Sequence, residues 1–225
     1  MDDFLAMLAH ELRNPLAALC QGLALLRMPQ APEEDLDRTL DSLERQLAYA
    51  LRIVADLYDA SRIKRGRMEL RQGPVCVQQL IGAVLDDMEK AVAQKQHRVE
   101  VRVAPEITVH GDWARLSQAF KNLVANAISY TEPGGDISIA AHERQDEVEC
   151  RVRDSGRGIP PEMLPYLFET NYHQSSAPSS SGLGIGLGIV RRIVELHGGT
   201  VTAHSDGPGR GAEFVVRLPR WSIGE

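Results

Sequence analysis

The sequence predicts an α+β protein in two parts, an N-terminal antiparallel helical hairpin followed by a two-layer α/β sandwich. Three observations lead there. Residues 1–65 carry leucines three and four apart and almost no strand signal. From about residue 74, apolar residues alternate with charged ones in short runs. Between those runs, helical spacing returns.

In the first part, Leu5, Leu8, Leu12, Leu16, Leu19, Leu23 and Leu26 form one stripe, and Met28-Pro29-Gln30-Ala31-Pro32 ends that helix. A second helix starts near Pro32, with Glu33, Glu34 and Asp35 in its first turn, where the helix dipole favours negative charge. Its stripe runs Leu36, Leu40, Leu43, Leu47, Leu51, Val54 and Leu57 before Arg62, Lys64, Arg65 and Gly66 close it. Two amphipathic helices joined by a short loop make a hairpin. One hairpin cannot enclose this much leucine, so a homodimer is expected, its two hairpins forming a four-helix bundle.

In the second part, Val99, Val101 and Val103 alternate with Glu100 and Arg102, and Ile137, Ile139 and Ala141 repeat the pattern. So do Val148, Cys150 and Val152, then Val201 and Ala203, then Phe214, Val216 and Leu218. Strands of this kind have one covered face and one wet face. Helical patterns lie at about 78–95, 112–129 and 186–197, which places helices on one face of a mixed sheet. The expected organisation is a hairpin over 1–65, a linker over 66–74 and the sandwich domain over 75–220.

With 225 residues the chain suffices for one large domain or two small ones. A net charge of −6 gives no electrostatic reason to expect nucleic acid or an anionic membrane as partner. No apolar run approaches the ~18 residues of a membrane span, no signal peptide opens the chain, and this segment is expected in the cytoplasm without membrane contact. Cys20, Cys76 and Cys150 read as reduced core thiols.

The chemistry concentrates in a few places. His10 lies roughly opposite Leu8 and Leu12 at about 100° per residue, out on the wet face, with Glu11 beside it and Asn14 one turn on. Gln118-Ala-Phe-Lys-Asn122-Leu-Val-Ala-Asn126 puts two asparagines at i and i+4 on one helix face. Asp154-Ser-Gly156-Arg-Gly158-Ile159 follows a strand, Gly182-Leu-Gly184-Ile-Gly186-Leu187-Gly188 leads into a helix, and Ser205-Asp-Gly207-Pro-Gly209-Arg-Gly211 is a turn between two strands. Glycines before a helix let backbone N–H groups approach phosphate oxygens. An asparagine oxygen suits Mg²⁺ alongside phosphate and water. A carboxylate at a strand end can accept from an adenine amino group. Singly, each stretch reads as well as a turn, a surface amide pair or a loop. All four in this order, between these elements, read as one nucleotide site.

With those motifs in view, the chain resembles the sensor histidine kinases over nearly all its length. Phe4 to Leu16, with His10, Glu11, Asn14 and Pro15, is similar to the family's phosphoacceptor box. The four glycine and amide stretches resemble its nucleotide boxes, and Leu167-Phe168-Glu169 its F box. The resemblance implies a dimerising hairpin coupled to an ATP-binding domain of the GHKL type shared with gyrase and MutL ATPases. It implies that a nitrogen of His10 attacks the γ-phosphate of ATP, the ordinary imidazole pKa of about 6.5 leaving much of the ring neutral. Glu11 would orient or deprotonate that ring, and Asn14 would position water for dephosphorylating the partner. Pro15 removes a helix hydrogen bond just beyond the site. Asn126 would be the Mg²⁺ ligand, Asn122 a phosphate-side partner and Asp154 the acceptor for the adenine amino group. Gly156 and Gly158 would allow close approach, with Tyr130 and Ile159 as pocket walls or simply core. Gly184 and Gly186 would cradle phosphates, with Gly182 and Leu187 in the same ATP-binding stretch. The phosphoryl group would pass to an aspartate of a response-regulator receiver domain. The full-length protein is expected to be longer, tethered to a membrane or fused to a receiver domain.

The sequence departs from the family in its charges. The family commonly carries a basic residue where Ser129 stands, and an arginine shortly after the F box, where this chain has Asn171-Tyr172-His173. The presumed lid, Thr170 to Gly184, is rich in serine, and no Lys or Arg occurs between Arg157 and Arg191. Two functions remain in view, the ATP-dependent histidine kinase with phosphatase activity and a weakly catalytic dimeric regulatory module. Intact His10, Glu11, Asn126 and Asp154 favour the enzyme.

Overall fold

The computed structural model describes residues 2–27, 33–64, 70–169 and 185–221, with backbone alone at 2–11, 33–35, 52, 55–64 and 185. The chain divides into two compact units, the helical hairpin and the α/β domain, which are described in turn.

The hairpin consists of α1 (Asp2–Leu26) and α2 (Glu33–Lys64), packed on each other. Helix α1 continues through the sequence position of Pro15, which is buried. Gly22 explains how closely the helices approach, since a Cβ there would fall 2.6 Å from Leu43 Cδ2. Ala50 and Ile53 are buried within the pair. The rest of the stripe is not: Leu16 and Leu23 on α1, with Leu40, Leu47, Leu51 and Val54 on α2, are 47–61% exposed in the single chain. A contiguous leucine face of this kind marks an interaction surface.

The α/β domain contains β1 (Gly73–Cys76), α3 (Val77–Gln94), β2 (Arg98–Val103), β3 (Thr108–Gly111), α4 (Trp113–Tyr130), β4 (Asp136–Arg144), β5 (Glu147–Asp154), a 3₁₀ helix (Pro161–Tyr166), α5 (Ile185–Leu196), β6 (Thr200–His204) and β7 (Ala212–Pro219). Five strands form the main sheet in the order β2-β4-β5-β7-β6. Only β2 and β4 are parallel, because the chain between them crosses over through α4. The other pairs are antiparallel. β1 takes in Gly73 and Pro74, at the end of the stretch read as linker, and pairs with β3 in a separate two-stranded sheet. Four-residue strands without full alternation carry too little pattern to be seen in sequence, and neither was anticipated.

The core lies between the sheet and the helices. Val148, Cys150 and Val152 of β5 and Phe214, Val216 and Leu218 of β7 are buried, as are Leu116, Phe120, Leu123 and Val124 of α4 and Ile189, Val190, Ile193 and Val194 of α5. The thiols need correction: Cys150 is core, but Cys76 is half-buried and Cys20 is exposed. Cys20 lies three residues before the likewise exposed Leu23, on the same face of α1 and away from the buried Gly22. Burial in apolar surroundings pushes the Cys150 thiol up to about 12.

The other face of the sheet is closed by charge. Glu149 alternates outward from Val148 and Cys150, yet it is 1% exposed beneath arginines. Oε1 accepts from Arg151 Nη2 at 2.7 Å, Oε2 accepts from Arg217 Nε at 2.9 Å, and Arg144 Nε stands 3.3 Å from Oε1. The bonds from Arg151 foremost, then Arg217, hold its carboxyl below the usual glutamate range against the cost of burial.

Candidate functional site

Helix α4 carries the candidate amides and is fixed at both ends. Asp112 caps its start, Oδ1 accepting from the N–H groups of Ala114 at 3.0 Å and Arg115 at 3.2 Å, while Oδ2 accepts from Arg71 N–H at 2.8 Å. Burial raises the Asp112 pKa, but these N–H donors outweigh it and the net direction is down. At the other end, Lys95 Nζ donates to the carbonyls of Ile128 at 2.7 Å and Ser129 at 3.1 Å, and His97 Nε2 lies 3.2 Å from the Ile128 carbonyl. A lysine at a helix C-terminus satisfies orphan carbonyls and offsets the dipole. Between these anchors Asn122, Asn126 and Tyr130 recur at i, i+4, i+8, all half-buried.

Asp154 ends β5 and is nearly buried at 7% exposure. Its Oδ1 accepts from Gly156 N–H at 2.8 Å and Ala212 N–H at 3.3 Å. Both bonds fall on one oxygen, so the carboxylate is held in one orientation. Burial pushes its pKa above the usual aspartate range, and the two N–H groups draw it part of the way back.

Two glycine stretches interlock around this carboxylate. Gly211 N–H donates to Gly156 O at 3.0 Å, Gly209 N–H to Arg157 O at 2.7 Å, and Ile159 N–H to Ser205 Oγ at 2.9 Å. A Cβ on Gly156 would collide with the Tyr130 carbonyl, one on Gly158 with the Gly207 carbonyl, and one on Gly211 with the Asp154 carbonyl. Gly158 and Gly211 also need φ of +68° and +70°. The final glycine stretch therefore builds the Asp154 loop. Ile159 beside it is half-buried. Phe168 of the Leu167-Phe168-Glu169 stretch packs edge-on to Phe214 of β7, ring centroids 6.4 Å apart.

Gly186 and Leu187 lie in the first turn of α5, both half-buried. Gly182 and Gly184, with the Thr170–Gly184 stretch, lie outside the described residues. His10 and Glu11 are placed on α1 by backbone alone, and Asn14 is exposed. Among the described residues no group of three or more His, Cys, Asp or Glu could hold a metal ion.

Residues 1–66 match the His Kinase A (phospho-acceptor) domain, and residues 111–222 match the histidine kinase-, DNA gyrase B- and HSP90-like ATPase family. The chain belongs to the histidine kinase family. The adaptive-response sensory kinase SasA of Synechococcus elongatus is 31% identical over 97% of this chain and 59% of its own length. Among solved structures, full-length ShkA in complex with AMPPNP is 28% identical with a TM-score of 0.70, covering 98% of this chain and 46% of that one. Histidine kinase ThkA in complex with response regulator protein TrrA has a TM-score of 0.71 at 23% identity, covering 99% of this chain and 63% of that one. The chain spans about half the length of the curated relatives it matches.

In this histidine kinase core the sequence reading missed the residues that hold the site. His197 is buried between α4 and α5: its Nδ1 donates to Ile193 O at 2.7 Å and its Nε2 accepts from Asp112 N–H at 2.9 Å. That pairing fixes the neutral tautomer with the proton on Nδ1. Burial holds the His197 pKa below the ordinary imidazole value. A histidine just before Gly198-Gly199 is a helix-end signal that was available. Gly198 at φ +72°, with Gly199 N–H on Val194 O at 2.9 Å, closes α5 in a Schellman turn. Nothing in the sequence marked Lys95 or His97, and the Ser205–Gly211 stretch was read for its glycines, not for the Ser205 hydroxyl; their partners are 33, 31 and 46 residues away.

Proposed function

We propose that the α/β domain binds ATP, that His10 takes its γ-phosphoryl group, and that the phosphoryl group then passes to an aspartate of a response-regulator receiver domain. The observation that carries this reading is the Asp154 carboxylate, recessed above glycines that no side chain can replace and oriented through Oδ1 by two backbone N–H groups. Such a carboxylate is built to accept from an exocyclic amino group, and the adenine of ATP presents one. Asn126 and Asn122 lie one and two turns before Tyr130 on α4, where the phosphates would pass.

In the transfer, a His10 ring nitrogen forms a bond to the γ-phosphorus as the bond to the β–γ bridging oxygen breaks and ADP leaves. The ring loses its proton from the other nitrogen, with Glu11 as the adjacent acceptor. Asn14 is the candidate for holding the water that removes phosphate from the partner. Catalysis of this kind is mostly positioning and charge neutralisation. The residues fit a Mg²⁺ ion that arrives with the triphosphate, since Asn126 offers one neutral oxygen and no acidic cage stands nearby among the described residues. When bound, such an ion would supply charge neutralisation for the triphosphate.

The half-exposed leucines of α1 and α2 support a homodimer through the hairpin. Among the described residues no helix is long and apolar enough to cross a membrane. Incubation with γ-³²P-ATP and Mg²⁺, beside His10→Gln, tests the reading. Acid-labile, base-stable label that vanishes in His10→Gln is expected. No label, with nucleotide binding intact, would leave a phosphatase or a dimeric regulatory module.

A further inference from the structure

The Asp-Ser-Gly-Arg-Gly stretch contains a side chain that the nucleotide reading leaves without a task. The guanidinium carbon of Arg157 lies 4.1 Å from the centroid of the Tyr130 ring, over its face. The same residue's N–H donates to the Tyr130 carbonyl at 3.0 Å. Tyr130 is thus attached to Arg157 twice, through its backbone and through its ring. Tyr130 is the last residue of α4, and beyond it the chain turns out of helical conformation at Thr131. A ring at such a terminus has no following helical turn to pack it. Arg157 supplies that packing from the neighbouring loop.

Gly156 connects this pair to the candidate base acceptor. Its N–H is on Asp154 Oδ1 at 2.8 Å, and its Cα sits so close to the Tyr130 carbonyl that a Cβ would collide with it. Gly156 thus touches both the backbone of the residue that carries the ring and the carboxylate. That combination suits a purine, whose amino group meets the carboxylate and whose face meets the ring.

Resting on the ATP-binding reading above, we propose that Arg157 is a positioning residue that fixes the Tyr130 ring for stacking against the nucleotide base. A cation over one face of a tyrosine attracts the ring quadrupole and removes its rotational freedom before the ligand arrives. Because the effect acts on the base, it is independent of how many phosphates the nucleotide carries. A guanidinium that touched phosphate would behave otherwise, its loss weakening ATP more than ADP.

The test compares dissociation constants for ATP and ADP in wild type, Arg157→Met, Arg157→Lys, Tyr130→Leu and the double variant Tyr130→Leu/Arg157→Met. Arg157→Met should weaken ATP and ADP by the same factor, about three- to tenfold. Arg157→Lys, which keeps a cation, should recover most of that loss. In the Tyr130→Leu background the Arg157→Met change should add nothing. A larger loss for ATP than for ADP, additive losses in the double variant, or unchanged binding in Arg157→Met would each overturn the proposal. Wild type that binds neither nucleotide would overturn the ATP reading itself and this role with it. An NMR resonance of the Arg157 Nε–H moved upfield by the ring, and restored in Tyr130→Leu, is expected without any nucleotide. Its absence would remove the pairing on which the proposal stands.

Discussion

The backbone N–H of Asp112 donates to His197 Nε2 at 2.9 Å, joining the start of α4 to the end of α5 across 85 positions of sequence. Asp112 caps the helix that carries Asn122 and Asn126, and His197 ends the helix whose first turn carries Gly186. One imidazole thereby ties the start of one helix at the candidate site to the end of the other.

Replacing His197 with Ala leaves the Asp112 N–H and the Ile193 carbonyl without this partner and opens a cavity beside Leu116. The loss expected is about 3 kcal/mol. The pH dependence has a definite sign. Burial lowers the folded His197 pKa, so the unfolded chain takes up a proton first as pH falls below about 6.5. Stability contributed by neutral His197 is therefore present above that value and lost as pH falls toward the lowered one. Thermal melts from pH 7.5 to 5 should show this decline in wild type and a shallower one in His197→Ala.

Asp154→Asn separates stability from binding. Burial raises the Asp154 pKa, so the carboxylate form costs stability once pH rises through the raised value. Asparagine keeps an oxygen for the N–H groups of Gly156 and Ala212 but then turns an NH₂ toward the ligand's amino group. The melting temperature of the nucleotide-free protein at pH 7 should be unchanged or higher, while ATP affinity falls on the order of ten- to a hundredfold. In wild type, ATP affinity should also drop as pH falls through the raised Asp154 value. Calorimetric titration across pH checks both, and an unchanged Kd in Asp154→Asn would remove Asp154 from the site.

Gly209 and Gly211 make an internal comparison. Their φ values are +75° and +70°, in one loop, but a Cβ on Gly209 meets nothing within 4 Å whereas one on Gly211 collides with the Asp154 carbonyl. Gly209→Ala should cost only the left-handed strain, about 1 kcal/mol. Gly211→Ala should cost about 3 kcal/mol or more and displace Asp154. Denaturant unfolding together with ATP titration distinguishes them, and equal costs would contradict the interlocked loops.

Charge near the end of α4 offers a gain-of-function test. Ser129 is exposed in the last turn of α4, and Lys95 at its carbonyl is engaged in capping that helix. Ser129→Lys combined with His173→Arg should speed autophosphorylation severalfold if the lack of Lys and Arg at these positions limits the rate. An unchanged rate of label incorporation would dismiss that limit.

The sequence alone determined the two parts of this protein and the chemistry each could hold. Leucine spacing marked α1 and α2, and strict alternation marked β4, β5 and β7, because those patterns arise from a residue's neighbours one turn or two positions away. The same locality made the histidine box, the paired asparagines and Asp154 legible. Tertiary structure decided which glycines do what. Gly209 and Gly211 look alike in sequence, and only the approach of the Asp154 carbonyl makes one of them irreplaceable. It also decided what His197, Lys95 and Arg157 touch, since each meets a backbone or ring brought to it by folding. Side chains that bond across dozens of residues leave no period in the sequence, so their partners exist only once the sheet and its helices have closed.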